Sequence, residues 1–117
     1  RVVEWDPRDP DRAFKATPVR QVTNFYACYG NEVLLNQKTG EPGHGKERAV
    51  AIADVLEAHV GAQDEAVAWT ALRAAAQEPN PEDITSNTQW SVVFDNTEPA
   101  AAITLRRHWG DIDAFAL

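Results

Sequence analysis

The chain of 117 residues is long enough for one domain with a modest core, and its apolar content of 44% is an ordinary globular value. It carries 11 basic and 18 acidic residues, and the resulting formal charge of −7 opposes binding to a nucleic-acid backbone. No apolar run approaches the roughly 18 residues of a membrane-spanning helix. We therefore expect neither nucleic acid nor a membrane as a partner.

The single cysteine, Cys28, excludes an internal disulfide and a cysteine-rich zinc site, and it leaves the cellular compartment open. It lies between Ala27 and Tyr29 with no histidine nearby, so we interpret it as a half-buried thiol rather than a nucleophile. The sequence starts at Arg1 and contains no methionine, so we expect a processed product or a fragment. The histidines at 44, 59 and 108 lack the spacing of metal ligands, and we expect neither a metal nor a cofactor.

The first part of the chain predicts two short strands and a long loop. Val2, Val3 and Trp5 indicate a strand within residues 1–6, and the Asp-Pro pairs that follow predict a loop over residues 6–18. The β-rich segment 19–29 predicts a strand that ends near Asn24. Glycines and prolines cluster in residues 31–45, which we interpret as a loop long enough to carry function.

Two amphipathic helices are predicted next. Apolar residues at 49, 52, 53, 56 and 60 recur at helical spacing and predict a helix over residues 46–60, with Gly61 as its stop. Asp64 is expected to cap a second helix that runs to about residue 77, before Pro79 and Pro81. Residues 78–88 are predicted to form a polar connector.

The last part of the chain predicts a β-hairpin between residues 89 and 109. Trp90, Val92 and Phe94 alternate with the residues at 89, 91, 93 and 95, of which all but Val93 are polar. Residues 96–99 interrupt the run, and Ile103 and Leu105 alternate in the segment beyond. A four-residue loop places Trp90 opposite Leu105 and all the large apolar side chains on one face. We expect a helix to cover that face.

Helices separated from strands along the sequence predict an α+β fold in which antiparallel strands pack with two helices. Four short strands and two helices make a thin domain. We therefore expect it to be part of a larger sheet sandwich.

Candidate chemistry is sparse. The segment 40–47 nearly matches a phosphate-binding loop, but Glu47 stands where a hydroxyl should meet Mg²⁺, so we interpret it as a glycine-rich loop entering a helix. Arg48 lies in the first turn of the predicted helix, where a cation is disfavoured. It therefore needs a partner, either a nearby acid or a site elsewhere. Asn24 is either a turn former or an amide that donates to an oxyanion.

Four segments occur in an order that matches a known family. They are Val22–Phe25 (VTNF), Gly43–Arg48 (GHGKER), Ser86–Asp95 (SNTQWSVVFD) and Leu105–Trp109 (LRRHW). The set resembles the C-terminal part of the choloylglycine hydrolase family of linear amide C–N hydrolases, including its acyl-CoA:6-aminopenicillanate acyltransferase-like branch. The resemblance implies an N-terminal-nucleophile hydrolase with a four-layer αββα sandwich, of which residues 1–117 form a single C-terminal segment of a larger hydrolase domain.

The resemblance also implies roles for four residues. In that family a processed N-terminal cysteine attacks the amide carbonyl, and its own α-amino group serves as the base. Asn24 matches the asparagine of the oxyanion hole, and Arg48 matches the arginine that points at the nucleophile. Phe25 and Tyr26 are the expected substrate-binding residues.

Cys28 aligns with no nucleophile, so we expect this chain alone to be inactive. The expected partners are a missing N-terminal half or second chain that bears the cysteine, and a small-molecule amide substrate. A homo-oligomer is left open. The alternative hypothesis is a small acidic protein-binding or assembly module without catalytic activity.

Overall fold

The computed structural model describes residues 1–36, 45–62, 64–83 and 87–117. Within these ranges the chain forms five β-strands, three α-helices and one short 3₁₀ helix, a composition that agrees with the predicted α+β class. The chain divides into two compact units, residues 1–53 and 54–117. None of the helices in the described ranges has the length and apolar content needed to cross a membrane.

In the first unit, strands β1 (Val2–Trp5) and β2 (Phe14–Thr17) form an antiparallel hairpin with Trp5 opposite Phe14. A 3₁₀ helix (Ala27–Tyr29) leads directly into helix α1 (Gly30–Asn36). Helix α2 (Lys46–Ala58) begins at the end of this unit and ends two residues before the predicted limit.

The predicted loop over residues 6–18 is wrong because it contains β2. Phe14 is 79% exposed, so β2 buries no apolar stripe that a sequence pattern could show. Turn chemistry holds the hairpin instead: the backbone N–H of Asp6 donates to the Ala13 carbonyl, and Arg12 adopts a positive φ of 51°.

The predicted strand that ends near Asn24 is also wrong, and so is the loop predicted over residues 31–36. Residues 19–26 are irregular, and 27–29 form the 3₁₀ helix because the Glu4 carboxylate accepts the backbone N–H of Cys28. That tertiary contact overrides the β propensity of the segment. Residues 31–36 belong to α1, and residues 37–44 of the predicted loop lie outside the described residues.

The second unit contains helix α3 (Glu65–Ala74) and a three-stranded antiparallel sheet. Asp64 caps the helix as predicted, since its Oδ1 accepts the backbone N–H of Val67 at 3.0 Å. The sheet has the order β3 (Trp90–Asp95), β4 (Ala100–Leu105), β5 (Asp113–Ala116). The sequence pattern did not predict β5.

The predicted hairpin register is confirmed. Trp90 pairs with Leu105 and Val92 with Ile103, and the four residues 96–99 form the turn. The Asp95 carboxylate stabilises that turn by accepting the backbone N–H groups of Thr97 at 2.7 Å and Glu98 at 3.2 Å.

The predicted helix cover on the large apolar side chains is wrong. Helix α3 packs against β3, yet Trp90 and Phe94 remain 62% and 58% exposed, whereas Ser91 and Thr104 on the opposite face are 6% and 1% exposed. Thr104 can be buried because its Oγ1 hydroxyl donates to backbone carbonyls of the same unit, those of His108 and Asp111. The uncovered side is the apolar sheet face, formed by Trp90, Val92, Phe94, Ile103, Leu105 and Phe115.

Candidate functional site

The two predicted catalytic residues meet in the first unit. Asn24 lies in the irregular segment before the 3₁₀ helix, and Arg48 lies in the first turn of α2. The Arg48 Nη2 donates to the Asn24 Oδ1 at 2.5 Å. The prediction that their polar ends lie within roughly 10 Å of each other is therefore confirmed, although Asn24 follows no strand.

This contact fixes which way the Asn24 amide points. A guanidinium carries only donors, so the atom that it meets must be the amide oxygen. The amide nitrogen of Asn24 then keeps its two N–H groups for an acceptor elsewhere. Asn24 is exposed, so such an acceptor can reach it from solvent.

The same contact explains why the cation of Arg48 is tolerated in the first turn of helix α2. Within the described part of the chain Arg48 forms no ion pair. Of the two nearby acids that could have been its partner, Glu47 is not paired with it, and Glu41 lies outside the described residues. The partner is the amide oxygen of Asn24. A hydrogen bond to a charged donor offsets the unfavourable position of the cation beside the helix N-terminus.

Thr23 and Gly45 join the two segments that carry this pair. The Thr23 Oγ1 donates to the Gly45 carbonyl at 3.1 Å, and the same carbonyl accepts the backbone N–H of Ala49 at 3.0 Å in the first turn of α2. Gly45 is buried and has a φ of +73°. Both residues lie within the quoted segments VTNF and GHGKER, but the sequence pattern gave neither of them a role of its own.

Glu4 anchors the other end of the Asn24 segment. Its Oε1 accepts the backbone N–H of Cys28 at 2.7 Å. Burial opposes the ionised form of Glu4, but hydrogen bonds from the Cys28 and Ala27 backbone outweigh it and lower the Glu4 pKa. No pattern in the sequence marked Glu4, because a single acid within a short strand looks like a solvated side chain.

Cys28 is a poor nucleophile in this setting. Partial burial of the thiol and its contact with the Glu4 carboxylate raise the Cys28 pKa above its ordinary value. The thiolate is the reactive form of cysteine, and both effects disfavour it. The geometry therefore agrees with the interpretation of Cys28 as a half-buried thiol.

An open pocket lies beside the Asn24 amide. It has a volume of about 270 Å³ and is lined by Glu4, Thr23, Asn24, Phe25 and Tyr26. The two aromatic residues predicted for substrate binding thus share a pocket with the predicted oxyanion donor. Tyr26 is held in an edge-to-face contact with Trp5, with ring centroids 5.9 Å apart. The pocket has room for one small acyl or amine group.

A separate polar cluster stabilises the first unit near this pocket. The Tyr29 hydroxyl donates to the Asp6 carboxylate, and the Arg8 guanidinium lies 3.7 Å from the centroid of the Tyr29 ring. The bond from Tyr29 lowers the Asp6 pKa, and the Asp6 carboxylate in turn raises the pKa of Tyr29 to about 12. This cluster orders the chain between β1 and α1.

The other sequence candidates bring no further chemistry together. Most of the near-match to a phosphate loop, including His44, lies outside the described residues. The His59 Nδ1 lies 2.8 Å from the Val55 carbonyl, as suits a histidine near the end of a helix. In residues 1–36, 45–62, 64–83 and 87–117, no three His, Cys, Asp or Glu side chains form a group that could hold a metal ion.

Comparison of the chain with family models, curated proteins and solved structures found no match. The resemblance to the choloylglycine hydrolase family therefore depends on the four ordered segments of the sequence alone.

Proposed function

We propose that this chain is the C-terminal part of a cysteine-type N-terminal-nucleophile hydrolase that cleaves linear amide C–N bonds. The observation that supports the proposal most is the contact between Arg48 and Asn24. The resemblance assigned these two residues to one reacting carbonyl, although 24 residues separate them. A turn asparagine and a solvated arginine would have no reason to converge.

In the proposed mechanism each residue has one task. The cysteine of the missing part attacks the carbonyl carbon, and its α-amino group takes the thiol proton. The same group returns that proton to the amine nitrogen as the C–N bond breaks, and a water molecule then hydrolyses the thioester, which releases the acid and restores the thiol. The Arg48 cation lies beside the sulfur and favours the thiolate. The Asn24 amide N–H, directed away from Arg48, donates to the oxygen on which negative charge develops. Phe25 and Tyr26 contact the group attached to that carbonyl.

The apolar sheet face gives separate support to the larger sandwich. Helix α3 packs against β3, and the apolar sheet face exposes Trp90, Phe94 and Phe115. A sheet with a helix on one side and large apolar side chains on the other is suited to pack against a second layer. In this proposal that layer belongs to the same αββα sandwich as the nucleophile.

The intact parent protein provides the deciding experiment. Mass spectrometry and N-terminal sequencing are expected to show a protein about two to three times as long as this chain, the size of one such sandwich, with cysteine at its processed N-terminus. The purified parent should hydrolyse members of an N-acyl amide panel and lose activity after alkylation with iodoacetamide. The 117-residue chain alone should hydrolyse none.

The Cys28→Ala variant serves as the control within this chain. It should leave the activity of the parent unchanged, because Cys28 binds Glu4 through its backbone and takes no part in the attack. Turnover by the isolated chain that disappears in Cys28→Ala would contradict the proposal and make Cys28 catalytic.

The apolar sheet face also favours a second candidate, a non-catalytic acidic assembly module. Trp90 and Phe94 would then dock a partner protein, as large exposed apolar patches often do. A native protein that consists of these 117 residues alone would favour this module over the hydrolase.

A further inference from the structure

Gly45 lies where the parts of the candidate site come closest. Its φ of +73° is in the left-handed region, which side chains other than glycine rarely adopt. A Cβ at this position would lie 2.8 Å from the Arg48 Nη2 and 3.1 Å from both the Cβ and the Oγ1 of Thr23. The Arg48 Nη2 is the same nitrogen that donates to Asn24.

The two neighbours of this position differ in how easily they can move. The guanidinium ends a long flexible side chain, and its Nη2 is the atom that would be too close to a Cβ. Thr23 is branched at Cβ, and its hydroxyl is bonded to the Gly45 carbonyl. A side chain at position 45 would therefore displace the guanidinium first, and the bond to Asn24 would be lost.

We propose that Gly45 and Thr23 are positioning residues for the Arg48–Asn24 pair. Thr23 holds the segment that carries Asn24 against the start of α2, and Gly45 leaves open the space through which the guanidinium reaches the amide. The catalytic role of this pair rests on the proposed function, whereas the contacts among the four residues are observed in this chain itself. Without them the Asn24 amide loses the partner that directs its N–H groups.

Nuclear magnetic resonance of the ¹⁵N-labelled chain tests the proposal without any substrate. The signals to follow are the Arg48 Nε–Hε and the Asn24 side-chain NH₂. Reference shifts for the separated pair come from the Asn24→Ala and Arg48→Ala variants. Gly45→Ala is expected to move both signals to the reference values. Wild-type shifts in Gly45→Ala would overturn the role of Gly45.

Gly61 offers a matched control for the backbone. It has a φ of +86°, and a Cβ added there would have no heavy atom within 4 Å. Gly61→Ala therefore introduces similar backbone strain without a clash, and it should leave both signals unchanged. If Gly45→Ala fails to fold, Gly45→Asn replaces it, since asparagine tolerates a positive φ but still carries a Cβ. The same displaced signals are expected from it, and wild-type signals would again overturn the role of Gly45.

Two substitutions test Thr23 separately. Thr23→Val keeps the shape of the side chain and removes the hydroxyl that binds the Gly45 carbonyl, so both signals should shift toward the reference values. Thr23→Ser keeps the hydroxyl and should restore wild-type shifts. Equal spectra for the Val and Ser variants would remove Thr23 from the proposal.

Measurement of kcat and KM in the active parent shows whether the positioning roles affect catalysis, and it can fail independently of the proposed function. Gly45→Ala should lower kcat by up to about a hundredfold with little change in KM, because a misplaced donor weakens the transition state more than the bound substrate. A parent without amidase activity would defeat the proposed function, and the magnetic-resonance result would still decide the positioning roles. An active parent whose kcat is unaffected by Gly45→Ala would overturn the catalytic role of Gly45.

Discussion

Replacing Asn24 with alanine should separate catalysis from folding. The side chain is exposed, and its hydrogen bond within the described part of the chain is the one with Arg48. Loss of a single exposed hydrogen bond costs about 0.5–1.5 kcal/mol of unfolding free energy. The variant should therefore remain folded, with a slightly lower denaturation midpoint.

The expected effect on catalysis is much larger. Removal of one donor from an oxyanion hole lowers kcat by about 10²–10³, which corresponds to about 2.7–4 kcal/mol of transition-state stabilisation. The loss of transition-state stabilisation thus exceeds the loss of unfolding free energy by a factor of about two or more. Substitution of a residue with a purely structural role would instead lower the unfolding free energy more than it lowers transition-state stabilisation.

The assay compares two measurements on the active parent. Initial rates with N-acyl p-nitroanilides give kcat and KM from absorbance, and urea denaturation followed by circular dichroism gives the unfolding free energy. Asn31→Ala is the matched control, because Asn31 is an exposed asparagine on α1. A normal kcat in Asn24→Ala would remove Asn24 from the mechanism and refute this reasoning.

Three further predictions concern the fold. Asp6→Asn should lower the Tyr29 pKa from about 12 toward its ordinary 10.0, as measured by phenolate absorbance in a Tyr26→Phe background. Asp64→Ala should cost about 1 kcal/mol of unfolding free energy, because α3 loses the cap on its first turn. Thr104→Val should cost about 1–3 kcal/mol, because it removes, from a residue that is 1% exposed, a hydroxyl whose single proton is shared between the His108 and Asp111 carbonyls.

Each of these predictions can be contradicted, either by the direction in which stability changes with pH or by a control variant. The raised Tyr29 pKa means that its bond stabilises the first unit below pH 10 and that this stabilisation is lost between pH 10 and about 12. The lowered Asp6 pKa means that its contribution is lost as the pH falls below 3.8. Asp64→Asn should keep the cap and Thr104→Ser should keep the hydroxyl, so losses equal to those of the Ala and Val variants would contradict the stated causes.

The hairpin register could be predicted because two independent features, the alternation of large apolar residues and the length of the turn, indicate the same pairing. Trp90, Val92 and Phe94 fit Leu105, Ile103 and Ala101 in only one pairing. The covered face could not be predicted from the same residues. It depends on the Thr104 hydroxyl, which finds its carbonyl partners only after folding, so the side of the sheet that buries Ser91 and Thr104 is the smaller and more polar one.

The two missed strands, β2 and β5, are short and carry little apolar signal. The four residues of β5 are all exposed, and pairing with β4 through the backbone holds them in place. At the candidate site, the approach of Asn24 to Arg48 followed from the family resemblance rather than from any periodicity. Gly45 and Thr23 were missed because the close approach around Gly45 exists only in three dimensions.

The carboxylate of Glu4 also determines how this protein can be shortened. It holds the backbone at Cys28, while the Thr23 hydroxyl holds the other end of the same short segment. A version trimmed at the N-terminus past Glu4 would release one of the two anchors and leave Asn24 on a loosely held loop.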